Sequence, residues 1–331
     1  MTKRNLSKHQ LRNIKKHKAS YDDLCNALQG LVISHRGKLI ELESSINETI
    51  FCQYHQNLGA IVAGDKVLYL LQDSSEYGII CQVLPRNNLL LRPSKFSHNH
   101  KTMAANINQI VIMLAVNPAP IEHYVDRYLV AANHMKIKPI IVINKIDLFS
   151  DAKNKVQLDN IIALYLELKY ELVTCSALSH ENLQNFKELL QHKTSIIVGQ
   201  SGVGKSEMLN ALFGKSITLA GEISEQNSRG KQTTTSARLF HLDQKTNIID
   251  SPGIREFGIW HLDKANIFSG FKEFAQLNNE CKFRNCAHLE NTKGCAINEA
   301  VDASKISKQR FINYHRLIHE YLECQTQKKK Y

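Results

Sequence analysis

The sequence predicts an α/β chain in three parts: a small β-barrel, a phosphate-binding doubly wound sheet and a helical module stapled by a metal. Three observations carry that prediction. Gly199-Gln200-Ser201-Gly202-Val203-Gly204-Lys205-Ser206 fits the phosphate-loop pattern G-x-x-x-x-G-K-[ST], which needs a strand before it and a helix after it. Short apolar-rich runs separated by turn residues occupy 30–93, the texture of a small all-β unit. Cys281, Cys286, His288 and Cys295 crowd into one short stretch, a density of soft ligands that suits a closed tetrahedral zinc site.

Composition bounds the answer. A chain of 331 residues implies two or three domains. A net charge of +11 points to a polyanionic partner. The basic N-terminus lacks a following apolar core and no apolar run reaches membrane-spanning length, so a cytoplasmic protein without a membrane partner is expected. Eight cysteines in so long a chain do not make a disulfide framework. Of these, Cys25, Cys52, Cys81, Cys175 and Cys324 are scattered and read as inert.

Residues 1–28 read as a basic flexible arm. Lys3, Arg4, Lys8, Arg12, Lys15, Lys16 and Lys18 precede the first acid, Asp22, and such a block stays extended until it meets phosphates. Residues 29–98 read as the barrel, with strands at Leu31–Ser34, Lys38–Leu42, Thr49–Tyr54, Lys66–Leu70 and Ile79–Leu84. Five such strands suit a barrel of the oligonucleotide-binding (OB) type; an SH3-like barrel reads almost the same. Tyr54, Tyr69, Arg86 and Arg92 read as ordinary core or surface residues, and His98 and His100 as solvated loop residues.

Residues 104–262 read as the nucleotide-binding domain. Ile107–Val116 opens it, and a helix follows from Ile121 to Met135 with Val125, Tyr128, Leu129 and Ala132 on one face. The buried strand Pro139–Ile143 ends in Asn144-Lys145-Ile146-Asp147. A carboxylate at Asp147 accepts from the paired N–H donors of guanine, which adenine lacks, so the site selects guanine and an ATPase reading fails. Asn144 is expected to brace the loops and the Lys145 stem to lie along the purine. After a second strand, Cys175-Ser176-Ala177-Leu178 offers backbone N–H to the base carbonyl.

In the phosphate loop, the N–H groups of Gly199 through Glu207 and the dipole of the helix that follows make an anion nest. Lys205 is expected to reach the β/γ-phosphates and Ser206 to ligate Mg²⁺. Downstream, Ser228–Thr235 holds Gln232 and three threonines, of which Thr234 is assigned to Mg²⁺. Asn247–Ile249 leads into Asp250-Ser251-Pro252-Gly253, where Asp250 would hold Mg²⁺ through water and the Gly253 N–H would contact the γ-phosphate. The guanine-reading motifs precede the phosphate loop, so the fold class is an α/β P-loop GTPase in circularly permuted order, with the OB-type barrel before it.

Residues 263–331 read as a zinc-binding helical domain. Cys281-x4-Cys286-x-His288-x6-Cys295 is a Cys₃His ligand set with no open position, hence structural. Phe311, Tyr314, Leu317, Ile318, Tyr321 and Leu322 fall at helical spacing as core, and Lys328–Lys330 form a basic tail.

Together these parts resemble the ribosome small-subunit-dependent GTPase A (RsgA/YjeQ) family. The carriers are Asn144–Asp147, Gly199–Ser206, Gly230-x-x-Thr233-Thr234-Thr235, Asp250–Gly258 and the Cys281/Cys286/His288/Cys295 knuckle. The resemblance implies a bacterial cytoplasmic enzyme, expected as a monomer, that binds the small (30S) ribosomal subunit and its rRNA late in assembly. It implies hydrolysis of GTP to GDP and phosphate, stimulated by that particle, with one structural Zn²⁺ and a nucleotide-bound Mg²⁺. The family usually has a His where this chain has Gln232, a Ser or Thr where it has Glu207, and one residue fewer between His288 and Cys295. Ile254 stands where many GTPases carry a water-orienting Gln. Intrinsic turnover is therefore expected to be slow. Two rivals are a non-catalytic RNA-binding module that holds nucleotide as a structural ligand and a permuted GTPase of the large subunit.

Overall fold

A computed structural model describes residues 26–72, 75–93, 100–150, 155–214, 237–250, 262–277 and 279–328. The basic arm with Cys25, His98, Gly230, Gln232, Thr233–Thr235, Ser251–Gly258 and the last two lysines lie outside them.

The barrel forms because alternate residues of five strands turn one way. The strands are β1 (Leu28–Arg36), β2 (Leu39–Ser44), β3 (Thr49–Tyr54), β4 (Lys66–Leu70) and β5 (Gly78–Val83). Val32, Ile40, Leu42, Cys52, Ile61, Val67, Tyr69 and Ile80 fill the interior, the period-2 pattern of a sheet curled on itself. The strand order is β1-β2-β3-β5-β4, and β1 pairs back onto β4 from Leu28↔Tyr69 to Leu31↔Lys66. β3 and β5 run parallel. This closed five-stranded arrangement settles the choice between barrel types in favour of the OB type. Tyr69 is core, and Arg86 forks onto Asp65 at 2.6 and 2.7 Å while donating to the Ala60 carbonyl. Tyr54 bonds His35 at 3.1 Å.

A hairpin unforeseen from the sequence follows: β6 (Leu89–Pro93) pairs with β7 (His100–Ala105). His100 thus opens a strand rather than sitting in a loop.

The nucleotide-binding sheet alternates strand and helix. β8 (Gln109–Ala115), α1 (Glu122–Met135), β9 (Lys138–Asn144), α2 (Lys155–Glu167), β10 (Glu171–Thr174), α3 (Leu183–Leu190), β11 (Thr194–Gly199) and α4 (Lys205–Phe213) follow in order. β12 (Arg238–His241) and β13 (Asn247–Asp250) complete it. The spatial order is β10-β9-β8-β11-β13-β12, parallel except for β12. The chain moves outward from β8 to β10 and then returns to lay β11 beside β8. That reversal opens a crevice at the strand carboxyl ends, where doubly wound sheets bind ligands. The sheet does not stop at β12: Ser34 of β1 pairs with Arg238, so barrel and nucleotide sheet are one hydrogen-bonded surface.

Four helices pack behind α1: α5 (Lys264–Ser269), α6 (Lys272–Leu277), α7 (Ala296–Asp302) and α8 (Lys308–Lys328). Phe268, Phe271, Phe274, Phe311 and Tyr314 form an aromatic cluster among them, with Phe271 and Phe274 centroids 5.1 Å apart. Phe311, Tyr314 and Leu317 are buried as the spacing predicts, Ile318 and Tyr321 are half-buried, and Leu322 faces solvent.

A polar network no periodicity shows ties α1 to this module. Asp126, fully buried, accepts from Tyr165 Oη at 2.7 Å and Asn313 Nδ2 at 2.6 Å and pairs with Arg310. Arg310, 1% exposed, also grips Glu273 at 2.7 and 3.0 Å. Burial and the Asp126 carboxylate push the Tyr165 hydroxyl well above its ordinary range. Breaking a buried pair from one side strands the other charge, which costs about 3–5 kcal/mol. Asp126→Ala is therefore expected to lower unfolding free energy by about that amount in urea titration, with Asp126→Asn costing less because two of the three hydrogen bonds survive.

Candidate nucleotide-binding site and metal centre

The crevice is built from three loops at strand ends. The phosphate loop leaves β11 at Gly199, whose φ of +151° and tight approach exclude a side chain: a Cβ there would lie 2.2 Å from the Met113 carbonyl oxygen. Gly204, at φ +91°, caps α4, and a Cβ on it would lie 2.4 Å from Asn144 Nδ2. These glycines let the backbone pass against β8 and β9 and turn its amides into the helix start. Lys205 Nζ donates to the carbonyls of Gly199 at 2.9 Å and Gln200 at 2.8 Å, arching over the loop. Ser206 and Glu207 are exposed in the first turn of α4. Glu207 therefore directs its charge to solvent at no desolvation cost.

Asn144 ends β9 and is 1% exposed. Its Nδ2 donates to the Val203 carbonyl at 2.9 Å, and its Oδ1 accepts from the Ala177 N–H at 3.0 Å. One amide thus joins the phosphate loop to the Ser176-Ala177-Leu178 turn. Lys145 follows in the left-handed region, φ +64°. Its stem spans the crevice, and Nζ donates to the carbonyls of Gly202 at 2.7 Å and Asn117 at 2.9 Å. Ile146 donates its N–H to the Cys175 carbonyl at 3.3 Å. The short 3-10 turn Ile146–Leu148 presents Asp147, whose Oδ1 accepts from Ser176 Oγ at 2.5 Å. Asp147 is exposed rather than buried, so burial of its carboxylate would have to come with the ligand. Ser176 Oγ also accepts from the N–H groups of Leu178 and Ser179 at 3.2 and 3.1 Å, fixing the turn.

Asp250 ends β13, with Ile197 of β11 as its neighbour in register. The structure therefore gathers Asn144–Asp147, Ser176, Ala177, Gly199–Glu207 and Asp250 at one end of one sheet, although 106 positions separate the first from the last (250 − 144). Sequence reading placed Gln200 in the loop for its backbone only, and missed both its side-chain role and Asn117. Gln200 Nε2 donates to the Ala119 carbonyl at 3.0 Å and its Oε1 accepts from the Ile121 N–H at 3.3 Å, tying the loop to the chain after β8. Asn117 receives Lys145 as above. The available signal was the pair of X-Pro steps in Asn117-Pro118-Ala119-Pro120, which favours a turn there but says nothing of its contacts.

The second constellation is the knuckle between α6 and α7. The ligand atoms of Cys281, Cys286, His288 and Cys295 all lie within 4.8 Å of one another. His288 Nδ1 is 3.6 Å from the sulfurs of both Cys281 and Cys295. A tetrahedral ion with Zn–S of about 2.3 Å and Zn–N of about 2.0–2.1 Å separates S and N by about 3.6 Å. The donor set and spacing therefore fit one zinc. Lys282 donates its N–H to the Gly294 carbonyl at 2.8 Å, zipping the knuckle shut, and His288 stacks on Phe268 at 4.9 Å. By contrast, Cys52 and Cys175 are buried, and burial pushes each thiol up to about 12, which leaves them inert.

The Asn144 amide yields a direct test. Asn144→Ala leaves the Val203 carbonyl and Ala177 N–H without their partner, at about 1–3 kcal/mol each. Amide exchange should accelerate in 176–179 and 199–206, read by mass spectrometry, while the buried rungs of β8 and β9 keep their protection.

Comparisons with known proteins agree with this geometry. Residues 83–260 match the family model described as RsgA GTPase. A protein of Haemophilus influenzae (strain PittGG) named small ribosomal subunit biogenesis GTPase RsgA is 39% identical, with 99% of each chain covered. One of the same name from Actinobacillus pleuropneumoniae serotype 5b is 40% identical over 99% of this chain and 98% of its own. The crystal structure of YjeQ from Thermotoga maritima superposes with a TM-score of 0.69 at 29% identity, covering 89% of this chain and 99% of that one. YloQ, described as a circularly permuted GTPase, superposes at 0.67 and 21% identity over 92% of this chain and 98% of its own, which speaks to fold alone. With a permuted strand order, a phosphate loop at the switch point and full-length relatives of one name, the chain belongs to the RsgA family of circularly permuted GTPases.

Proposed function

We propose that this chain hydrolyses GTP to GDP and phosphate as a late assembly factor of the small ribosomal subunit, binding its rRNA as a monomer in the cytoplasm. The observation that carries the GTP part is the Asn144 amide, which draws a guanine-reading carboxylate and a phosphate nest to one crevice. The names of the relatives supply the small subunit. The net charge of +11 supports an rRNA partner. Among the described residues no helix is long and apolar enough to cross a membrane.

Within the crevice, Asp147 accepts from the guanine N1–H and 2-amino group, held in place by Ser176 Oγ. The Lys145 stem covers one purine face. The Ala177 N–H, already given to Asn144, is shared with the base carbonyl. Amides of Gly199 through Glu207, among them those of Gln200, Ser201, Gly202, Val203 and Gly204, cradle the phosphates. Lys205 moves from the loop carbonyls to the β/γ-phosphates. Ser206, Thr234 and Asp250 are hard oxygen donors of the type Mg²⁺ takes; when bound, the ion neutralises charge developing between the β- and γ-phosphates. Gln232 is assigned to orienting the attacking water and the Gly253 N–H to the γ-phosphate. Cys281, Cys286, His288 and Cys295 would hold one zinc with four protein ligands, so that it would serve as a structural staple for the C-terminal domain. In this reading the chain divides into an arm at 1–28, a barrel at 29–98, the GTPase domain at 104–262 and the C-terminal domain at 263–331.

Two measurements test the reading. GTP turnover should rise by an order of magnitude or more when purified small subunits are titrated in, and Lys205→Ala should abolish the response; a flat titration removes the ribosomal assignment. Prolonged chelation, or Cys295→Ser, should release about one zinc per chain and lower the melting temperature by about 5 °C or more. That would be read by metal analysis beside thermal unfolding.

A further inference from the structure

Helix α1 starts without a cap of its own. Its N-cap residue is Ile121, in an extended conformation, and an isoleucine side chain has no oxygen to offer the first turn. The third helical position is where a capping box carries a Glu or Gln that reaches back to the N-cap N–H. Here that position is Tyr124, whose ring lies against His123 at 4.7 Å and under the Arg127 guanidinium at 5.4 Å. The missing acceptor comes from the phosphate loop. Gln200 Oε1 accepts from the Ile121 N–H at 3.3 Å, and Nε2 donates to the Ala119 carbonyl at 3.0 Å. One side chain thus brackets Pro120, which has no N–H to give. The two loops run side by side there, the Cβ position of Gly202 being 3.6 Å from Pro118 Cδ.

Four side chains brace the phosphate loop, and nucleotide treats them differently. Asn144 Nδ2 takes the Val203 carbonyl and Lys145 Nζ the Gly202 carbonyl, both in the second half of the loop. In the first half, Lys205 Nζ takes the carbonyls of Gly199 and Gln200. Binding draws Lys205 to the β/γ-phosphates, so these two residues give up that donor just as their amides must face phosphate. The Gln200 side chain is bonded outside the loop, to backbone that takes no part in the assigned nucleotide contacts. It is the brace of the first half that binding leaves in place.

We propose that Gln200 is a positioning residue for nucleotide binding: it clamps the phosphate loop to the start of α1 and keeps the loop's first turn in shape while Lys205 changes partners. This rests on the assignment of the 199–206 loop to guanine-nucleotide phosphates made above. The clamp works in both directions, because coupling between two sites is reciprocal. Nucleotide that fixes the loop also fixes the first turn of α1, the helix whose Asp126 joins the C-terminal module.

The test uses the full chain and GDP, with two readouts: release of a fluorescent GDP analogue chased by GDP, and amide exchange by mass spectrometry. Gln200→Met keeps the reach of the side chain and loses both hydrogen bonds, so release should accelerate about three- to tenfold. Gln200→Asn, still an amide but one methylene shorter, should release as fast. In the parent chain GDP should slow exchange at 119–126 as well as at 199–206; in Gln200→Met only the second effect should remain, with β8 and β11 as protected as before. Tyr124→Gln added to Gln200→Met supplies a capping-box glutamine from within α1. Exchange at the start of α1 should then recover while release stays fast. Release returning to within about twofold of the parent rate in that double variant overturns the proposal, since Gln200 would then act only as a helix cap. So does unchanged release in Gln200→Met, or a parent chain in which GDP leaves 119–126 unaffected. If the parent chain does not bind GDP at all, the nucleotide reading falls and the proposal with it; if it binds and Gln200→Met releases at the parent rate, the proposal alone falls.

Discussion

The amide of Asn144 is the constraint on which the site depends. It is buried, so both its ends must be bonded or the burial is costly. Satisfying them fixes the distance between the turn after β10 and the loop after β11. Gly204 has no side chain because that amide occupies the space where a Cβ would go. Lys145 and Asp147 then inherit their positions from the strand end that Asn144 anchors, one reaching across to Gly202 and the other held by Ser176.

Around that pin, the three parts of the chain are joined by different physics. The barrel meets the nucleotide sheet edge to edge, through the Ser34↔Arg238 bridge and the forked Glu41–Arg238 pair. Covering β12 this way also removes an open sheet edge, which would otherwise invite pairing with another chain. The C-terminal helices meet it face to face, through apolar packing on α1 and the buried Asp126–Arg310–Glu273 network. Gly270 makes the helix approach possible, since a Cβ there would lie 2.6 Å from Val130 Cγ2. The Cys₃His knuckle stands beyond that interface, its His288 stacked on the Phe268 that belongs to the aromatic cluster. A change at the nucleotide crevice therefore has a polar route to the barrel and a packed route to the metal module.

Much of this was legible in the chain. Motifs whose chemistry is local were found by reading alone: the glycine spacing of 199–206, the Cys₃His cluster, and the apolar faces of α1 and α8. Each depends on residues close in sequence, where period and spacing encode geometry. The five barrel strands were also found to within a few residues, but not their closure, which depends on which strands pair. The β6–β7 hairpin went unread because a polar stretch rather than a tight turn separates its strands.

What the amino-acid order determined, then, was the set of groups available: a carboxylate just past a buried strand, a glycine loop opening a helix, hydroxyl and carboxylate oxygens, three thiols with an imidazole, and a positive charge. Tertiary structure alone decided which of these meet. The partners of Asn144 lie 33 and 59 positions away, those of Asp126 up to 187, and Glu41 finds Arg238 across 197. No periodicity reaches across such distances. Those contacts are set by strand order and by the need to pair every polar group that the fold buries.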